Sequence, residues 1–262
     1  SLTGSQYFGI GAYETTNLGS GAYGSFLLGN VKFYASALST ADVNNLYLAE
    51  EPNYDLLFMV DGTKNNATYP DIAGLGTTST NRAGVSYNAS TGGSLYFNGT
   101  VTGYTDFTFP LNGASTITVE MWVYPTALSG GMFFGFYNYD IYTYNNAIGY
   151  NTAVGDVYGM NSTQTTGCLN AWKHYVFVMQ AGSVTNNKIY LNGVNQTLSQ
   201  ILGSPDNANA SFSNGVGRIG SWGINTNFIQ PMYVTKFKIY DRELTQVEIT
   251  TKFNKDKARY GL

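Results

Sequence analysis

Trp172-Lys173-His174-Tyr175-Val176-Phe177-Val178-Met179, followed by Lys188-Ile189-Tyr190-Leu191 and then Asn192-Gly193, decides the fold of this chain. β-Branched and aromatic residues dominate both runs, and the first is apolar enough to be a central strand. Asn-Gly tolerates positive φ at both centres of a type I′ turn, so the second run is expected to end in a tight hairpin. Working outward, Thr116-Ile117-Thr118-Val119-Glu120-Met121-Trp122-Val123-Tyr124 repeats the strand signal, and Pro125 ends it. Gly, Asn, Ser and Thr fill the gaps at short, fairly even intervals. Many short strands with such turns predict an all-β sandwich or barrel, not βαβ units.

Two capped helices interrupt this pattern, and they are one signal written twice. Lys236-Phe237-Lys238-Ile239-Tyr240 leads into Leu244-Thr245-Gln246-Val247-Glu248-Ile249. Val31-Lys32-Phe33-Tyr34 leads into Leu38-Ser39-Thr40-Ala41-Asp42-Val43, and Lys32 aligns with Lys238 at an offset of 206 residues. Tyr34 then meets Tyr240, Leu38 meets Leu244 and Val43 meets Ile249; upstream, Ile10-Gly11 matches Ile219-Gly220 after a three-residue gap. In each copy a Ser or Thr opens the helix, and an acid three residues on, Asp42 or Glu248, can complete a capping box and favour the helix dipole. A repeat of this period implies two copies of one β domain. Residues 1–48 are therefore expected to be the tail of an upstream domain and 49–262 a complete one, linked through Ala49-Glu50-Glu51-Pro52-Asn53. The opening Ser1-Leu2-Thr3-Gly4 has neither an initiator Met nor a signal peptide, which suggests a piece of a longer protein.

Composition bounds the function. The 262 residues carry 16 acidic and 13 basic side chains for a net charge of -3, which argues against a nucleic-acid partner. With 11% charged and 15% aromatic residues, the chain is expected to fold, not to be disordered. One Cys and one His exclude an intrachain disulfide framework and a Cys/His metal site. No apolar run approaches the ~18 residues of a membrane span.

With these residues in hand, the chain resembles the laminin G-like, concanavalin A-like jelly-roll family. The resemblance rests on Ser94-Leu95-Tyr96-Phe97-Asn98-Gly99, on Ile117 to Pro125, on Trp172 to Gly193, and on Gly217-Arg218-Ile219-Gly220 with Phe237 to Ile249. Its closing segment recurs at 9–43. Leu56-Leu57-Phe58-Met59-Val60-Asp61-Gly62, with Tyr69-Pro70-Asp71, also resembles versions in phage and large-virus structural proteins. Such a resemblance implies an all-β, two-sheet antiparallel jelly-roll sandwich with a short capped helix near each copy's end. It implies a concave face or rim that holds glycans or proteins, sometimes through calcium. Other relatives are glycoside hydrolases, so the site must decide.

Retaining glycosidases need two carboxylates roughly 5 Å apart. Hydrolase relatives carry them at i and i+4 of one strand, yet Ile117–Tyr124 offers only Glu120 and Trp172–Met179 offers none. Asp241 with Glu243 lies at a strand exit, and Glu51 with Asp55 in the linker. His174 beside Trp172 reads as structural, and Cys168 as a small buried or loop hydrophobe. We therefore expect no enzyme, and rank a glycoside hydrolase last.

Residues 83–172 contain no Lys or Arg, and within them runs Phe133-Phe134-Gly135-Phe136-Tyr137-Asn138-Tyr139-Asp140-Ile141-Tyr142-Thr143-Tyr144-Asn145-Asn146. As two short strands it would put Tyr137 and Tyr139 on one face, and Tyr142 and Tyr144 on another. Aromatic rings stack on sugars while Asn138, Asn145 and neighbouring polar groups read hydroxyls. Packing or a protein interface explains the same composition equally well. For calcium on the rim the best donors are Asp140 and Asp156, with Asn138 or Asn151, although no acidic calcium loop exists. Six N-x-S/T sequons, at Asn66, Asn88, Asn98, Asn161, Asn195 and Asn209, are what an Asn-rich chain carries by chance. Lys252, Lys255, Lys257 and Arg259 offset the dipole of the last helix. The expected partners are cell-surface glycans or neighbouring structural subunits, further copies of the chain included. The expected setting is extracellular or a virion surface: an attachment or assembly module of a fibre protein, with a secreted or cell-surface carbohydrate-binding module as the alternative.

Overall fold

The computed structural model describes residues 56–62 and 77–262 apart from 112, 153, 213–214 and 224–225, together with the single positions Ala37 and Thr68. The expected upstream tail at 1–48 (its Ala37 aside) and the linker at 49–53 lie outside the described residues.

Sixteen strands follow one another among the described residues. They are β1 (Leu56–Asp61), β2 (Thr78–Asn81), β3 (Val85–Asn88), β4 (Ser94–Phe97), β5 (Thr105–Thr108) and β6 (Thr116–Pro125). Next come β7 (Met132–Gly135), β8 (Tyr139–Tyr144), β9 (Ala147–Thr152), β10 (Val157–Met160) and β11 (Lys173–Gln180). The series ends with β12 (Lys188–Leu191), β13 (Val194–Asn195), β14 (Ser199–Leu202), β15 (Val216–Ile219) and β16 (Met232–Tyr240), before the helix α1 (Gln246–Asp256). They form two antiparallel eight-stranded sheets, the two-sheet sandwich that the resemblance implied and one of the two alternatives, sandwich or barrel, that the strand spacing predicted. Sheet one runs β13-β12-β11-β6-β16-β4-β3, with β1 pairing the second half of β16 on the edge where β4 pairs the first. Sheet two runs β14-β10-β9-β8-β7-β15-β5-β2.

Period-two alternation sorts the side chains. On β6, Ile117, Val119, Met121 and Val123 join the core between the sheets, as Tyr175, Phe177 and Met179 do on β11. Phe58, Phe107, Phe136, Phe177 and Phe237 meet Phe134 or one another there at ring separations of 5.1–6.1 Å. Each contributes about 1.5–3 kcal/mol by leaving water. The Asn192-Gly193 turn forms as expected, with φ of 52° and 81° at the end of β12.

The opposite residues of β6 and β11 point away from the core, yet Trp122 and His174 are fully buried. The reason is α1. Its capping box closes as read: the Thr245 backbone N–H donates to Glu248 at 2.6 Å, and the Glu248 N–H donates to Thr245 Oγ1 at 3.3 Å. Phe253 and Tyr260 then lie over Trp122, with ring separations of 6.0 and 4.2 Å. The C-terminal cations help hold this roof, Lys252 over the Tyr240 ring and Lys257 over Phe253. Cys168 is buried, in keeping with its apolar reading.

Candidate functional site

Under the roof, the pair that invites a catalytic reading is buried and hydrogen-bonded. His174 Nε2 lies 3.2 Å from Glu120 Oε1, and the Tyr240 hydroxyl donates to Glu120 Oε2 at 2.8 Å. Lys238 Nζ stands 3.9 Å from the same carboxylate. Burial alone would push the Glu120 carboxyl up; Lys238 and the His174 hydrogen bond outweigh it and hold the group well below its ordinary range. Every oxygen of Glu120 is committed to the fold, and Phe253 covers His174.

The outer side of sheet two carries a different array. On β8, Tyr139, Ile141 and Thr143 turn inward, so Asp140, Tyr142 and Tyr144 share the outer face. Tyr142 and Tyr144 are half-buried, with rings 6.4 Å apart. The loop between β15 and β16 folds over β7: the Met132 N–H donates to the Phe228 carbonyl at 2.9 Å, and the Trp222 indole donates to the Tyr137 carbonyl at 2.8 Å. That loop brings Phe228 edge-on to Tyr142 at 5.6 Å and to Trp222 at 6.0 Å. The result is a groove of about 390 Å³ walled by these aromatic rings, with Asp140, Asn151 and Thr152 among its polar lining. No Lys or Arg is among the described residues that line it.

Asp140 is 1% exposed. Its Oδ2 accepts from Asn151 Nδ2 at 3.2 Å, while Oδ1 has no partner among the described residues. Burial pushes this carboxyl well above the ordinary carboxylate range; the Asn151 bond opposes the shift without reversing it, and the charge of Asp156 adds to it. The side chain therefore tends to hold its proton.

Of the residues singled out in the sequence, Tyr142, Tyr144 and Asp140 come together, with Asn151. Tyr139 requires a correction. Its ring is wholly buried against Phe212 and Tyr150, and its hydroxyl donates to the Gln180 carbonyl at 3.1 Å, so it belongs to the core and offers no face to a ligand. Tyr137 does not share its face: it sits in the turn between β7 and β8, 48% exposed. Asn138 is half-buried in the same turn, apart from the groove lining. Asn145 and Asn146 have φ of 48° and 66° and form the turn between β8 and β9, a backbone demand that explains Asn without a ligand.

The calcium donors fit poorly. Asp156 Oδ1 accepts from both the backbone N–H and the hydroxyl of Thr152, leaving Oδ2 alone unpartnered. Calcium takes about six to eight oxygens. Among the described residues no group of three or more His, Cys, Asp or Glu side chains could hold a metal. Trp222, Phe228, Met132 and Leu202 complete the groove and were not singled out in the sequence. They arrive from other strands and loops, so no local pattern marks them.

A laminin G family model, described as the concanavalin A-like lectin/glucanases superfamily, matches residues 102–250, more than half of the chain. No curated protein matches significantly. Among solved structures, the binding domain of Paraclostridial Mosquitocidal Protein 1 superposes with a TM-score of 0.56 at 15% identity, over 78% of this chain and 52% of that one. A botulinum neurotoxin type C structure, whose cell entry is described as dependent on two ganglioside molecules, gives 0.58 at 15% identity, over 79% and 52%. The botulinum neurotoxin serotype D ligand-binding domain in complex with N-acetylneuraminic acid gives 0.55 at 13% identity, over 79% and 52%. At such identities these likenesses show the fold alone. The chain spans about half the length of each of these structures.

Proposed function

The chain belongs to the concanavalin A-like lectin/glucanase superfamily, and from that premise we propose that it is a non-enzymatic carbohydrate-binding module. Its ligand is a neutral, hydroxyl-rich saccharide seated in the groove of Tyr142, Tyr144, Trp222 and Phe228. The observation that carries this reading is the aromatic wall beside a polar floor. Rings of this kind cover the apolar face of a sugar, and polar residues of the lining supply hydrogen bonds to its hydroxyls. With no cation among the described lining residues, none of them neutralises an acidic sugar. A hydrolytic role finds little support, since Asp140 is the sole carboxyl among the described lining residues and glycosidases use two.

The finer reading is an extracellular attachment module within a longer surface or fibre protein, on a virion or a cell. The recurrence at an offset of 206 residues supports it, because tandem copies suit avid binding to repeated glycans. No described helix is long and apolar enough to cross a membrane.

The test is a glycan-array screen of the whole chain, followed by titration of the best neutral ligand against Tyr142→Ala and Trp222→Ala. Each substitution is expected to weaken binding about tenfold or more, roughly 1.4 kcal/mol. Sialylated glycans are expected to bind no better than their neutral parents. A ligand whose affinity ignores both substitutions would move the site elsewhere, and an array blank for every glycan would remove the carbohydrate reading.

A further inference from the structure

A second aromatic array lies on the other sheet, beside the roof that α1 and the residues after it form over Trp122. Tyr233, at the start of β16, pairs in register with Tyr96 of β4 on one side and with Tyr124 of β6 on the other. Cross-strand partners share a face, so the three rings form a row across the outer side of sheet one. The Tyr96 and Tyr233 rings stack at 4.6 Å, and Tyr124 meets Tyr233 edge-on at 5.7 Å. Trp172, just before β11, extends the row with its ring 5.8 Å from Tyr124. All four side chains are half-buried.

Sheet stability accounts for aromatic neighbours, at about 0.2–1 kcal/mol per pair. It does not account for the cavity they face. Tyr124, Trp172 and Tyr233 line a groove of about 360 Å³ together with Asn88, Ser94, Asn170 and other hydroxyl or amide residues. Every described lining residue is uncharged. The Tyr124 and Tyr233 hydroxyls, the Trp172 indole N–H and the Asn170 amide make no hydrogen bond to another described residue. Flat apolar rings, unspent donors and acceptors at their edges, and no charge describe a surface for a neutral polyhydroxylated ligand.

We propose that this row is a second saccharide-binding site, independent of the groove around Tyr142 and resting on the reading above only for the chemical class of its ligand. The two sites lie on the outer sides of opposite sheets, so one module grips two glycan chains, or two branches of one, at once. Engagement of both raises the apparent affinity for a multivalent surface well above that of either.

The experiment is calorimetric titration of the whole chain with a short neutral oligosaccharide taken from the array, alongside Tyr142→Ala, Trp172→Ala and the double variant. The expected stoichiometry is two per wild-type chain, one for each single variant and none for the double variant. Because Trp172 also touches Tyr260, with rings 5.0 Å apart, Asn170→Gly serves as a gentler probe. Asn170 has a φ of 54°, which glycine adopts freely, so this change removes the amide and spares the turn. It is expected to weaken the second site about three- to tenfold, the loss of one hydrogen bond. One site per chain, abolished by Tyr142→Ala and indifferent to both Trp172→Ala and Asn170→Gly, would overturn the second site and leave the first standing. One site abolished by Trp172→Ala and indifferent to Tyr142→Ala would do the reverse. Absence of binding by the wild-type chain would overturn both.

Discussion

Glu120 and Asp140 are both buried carboxyl groups, each on the outer side of a different sheet, and their surroundings move them in opposite directions. Around Glu120 the fold places the Lys238 ammonium, the His174 ring and the Tyr240 hydroxyl, and Lys238 with His174 overcomes the cost of burial and holds the group well below its ordinary range. Around Asp140 it places one amide, from Asn151, and burial prevails. The neighbours, not the depth, decide the outcome. A helix roofs the first carboxyl, while the second borders an open groove. The contrast separates a carboxylate with both oxygens hydrogen-bonded from a carboxyl with one oxygen buried and unpartnered, although the Trp-His pair beside Glu120 is the more suggestive in sequence.

The sharpest way to break this comparison is Glu120→Ala. Removing one partner of a buried charged cluster typically costs about 3–5 kcal/mol. For a chain of this size each kcal/mol shifts Tm by roughly 2–4 °C, so the expected drop is on the order of 10 °C. Thermal unfolding measures it, and the affinity of the still-folded variant for saccharide should not change. The pH dependence follows from the lowered pKa. Stability from Glu120 is present above the ordinary glutamate value of about 4.3 and is lost as pH falls through the lower folded value. Glu120→Gln should lack that acid-side loss. A cost under about 1 kcal/mol for Glu120→Ala would show that the roof does not depend on the cluster.

Asp140→Asn should act with the opposite sign. A folded pKa raised above the unfolded value gives stability that is complete below about pH 3.9 and is lost as pH rises through the folded value. At neutral pH the wild-type chain therefore carries a penalty that the neutral isostere lacks, and the Asn151 amide still finds an acceptor. The variant should be more stable than wild type by about 1 kcal/mol at neutral pH, with the gain vanishing near pH 4. Denaturant unfolding at both pH values checks it. A variant less stable at neutral pH would mean that an unseen cation or donor already satisfies Asp140 Oδ1.

These two carboxyls also mark what the sequence reveals and what it hides. The strands of Thr116–Pro125 and Lys173–Gln180, the Asn192-Gly193 turn and the Thr245–Glu248 cap are legible because each depends on residues within a few positions. Tyr142 and Tyr144 share an accessible face for the same reason. Tyr139 joins the core because strand parity sets it on the face opposite Asp140, Tyr142 and Tyr144, while parity alone does not say which of the two faces is the core. Trp222 and Phe228 carry no such signal. They meet Tyr142 because a loop folds across β7, and that contact depends on inter-strand register. The row of Tyr96, Tyr233 and Tyr124 is likewise visible only once β4, β16 and β6 are laid side by side.

Phe228 gives the smallest stability effect and the finest separation of binding from folding. Its backbone sits at φ 57°, the left-handed region that bulky residues avoid, and its ring is 41% exposed. That conformation costs a non-glycine residue roughly 1–2 kcal/mol, and a side chain so exposed gives little back. Glycine relieves the strain, while the extra freedom it gives the unfolded chain costs about 0.5–1 kcal/mol. Phe228→Gly should therefore leave stability within about 1 kcal/mol of wild type. Phe228→Ala keeps the strain, and both variants lose the ring that closes the groove over Tyr142. If the ring serves a ligand, the two variants lose saccharide affinity alike, about tenfold, and differ only in Tm. If Phe228→Gly binds as wild type does, the groove needs only Tyr142, Tyr144 and Trp222, and the strained phenylalanine belongs to the loop alone.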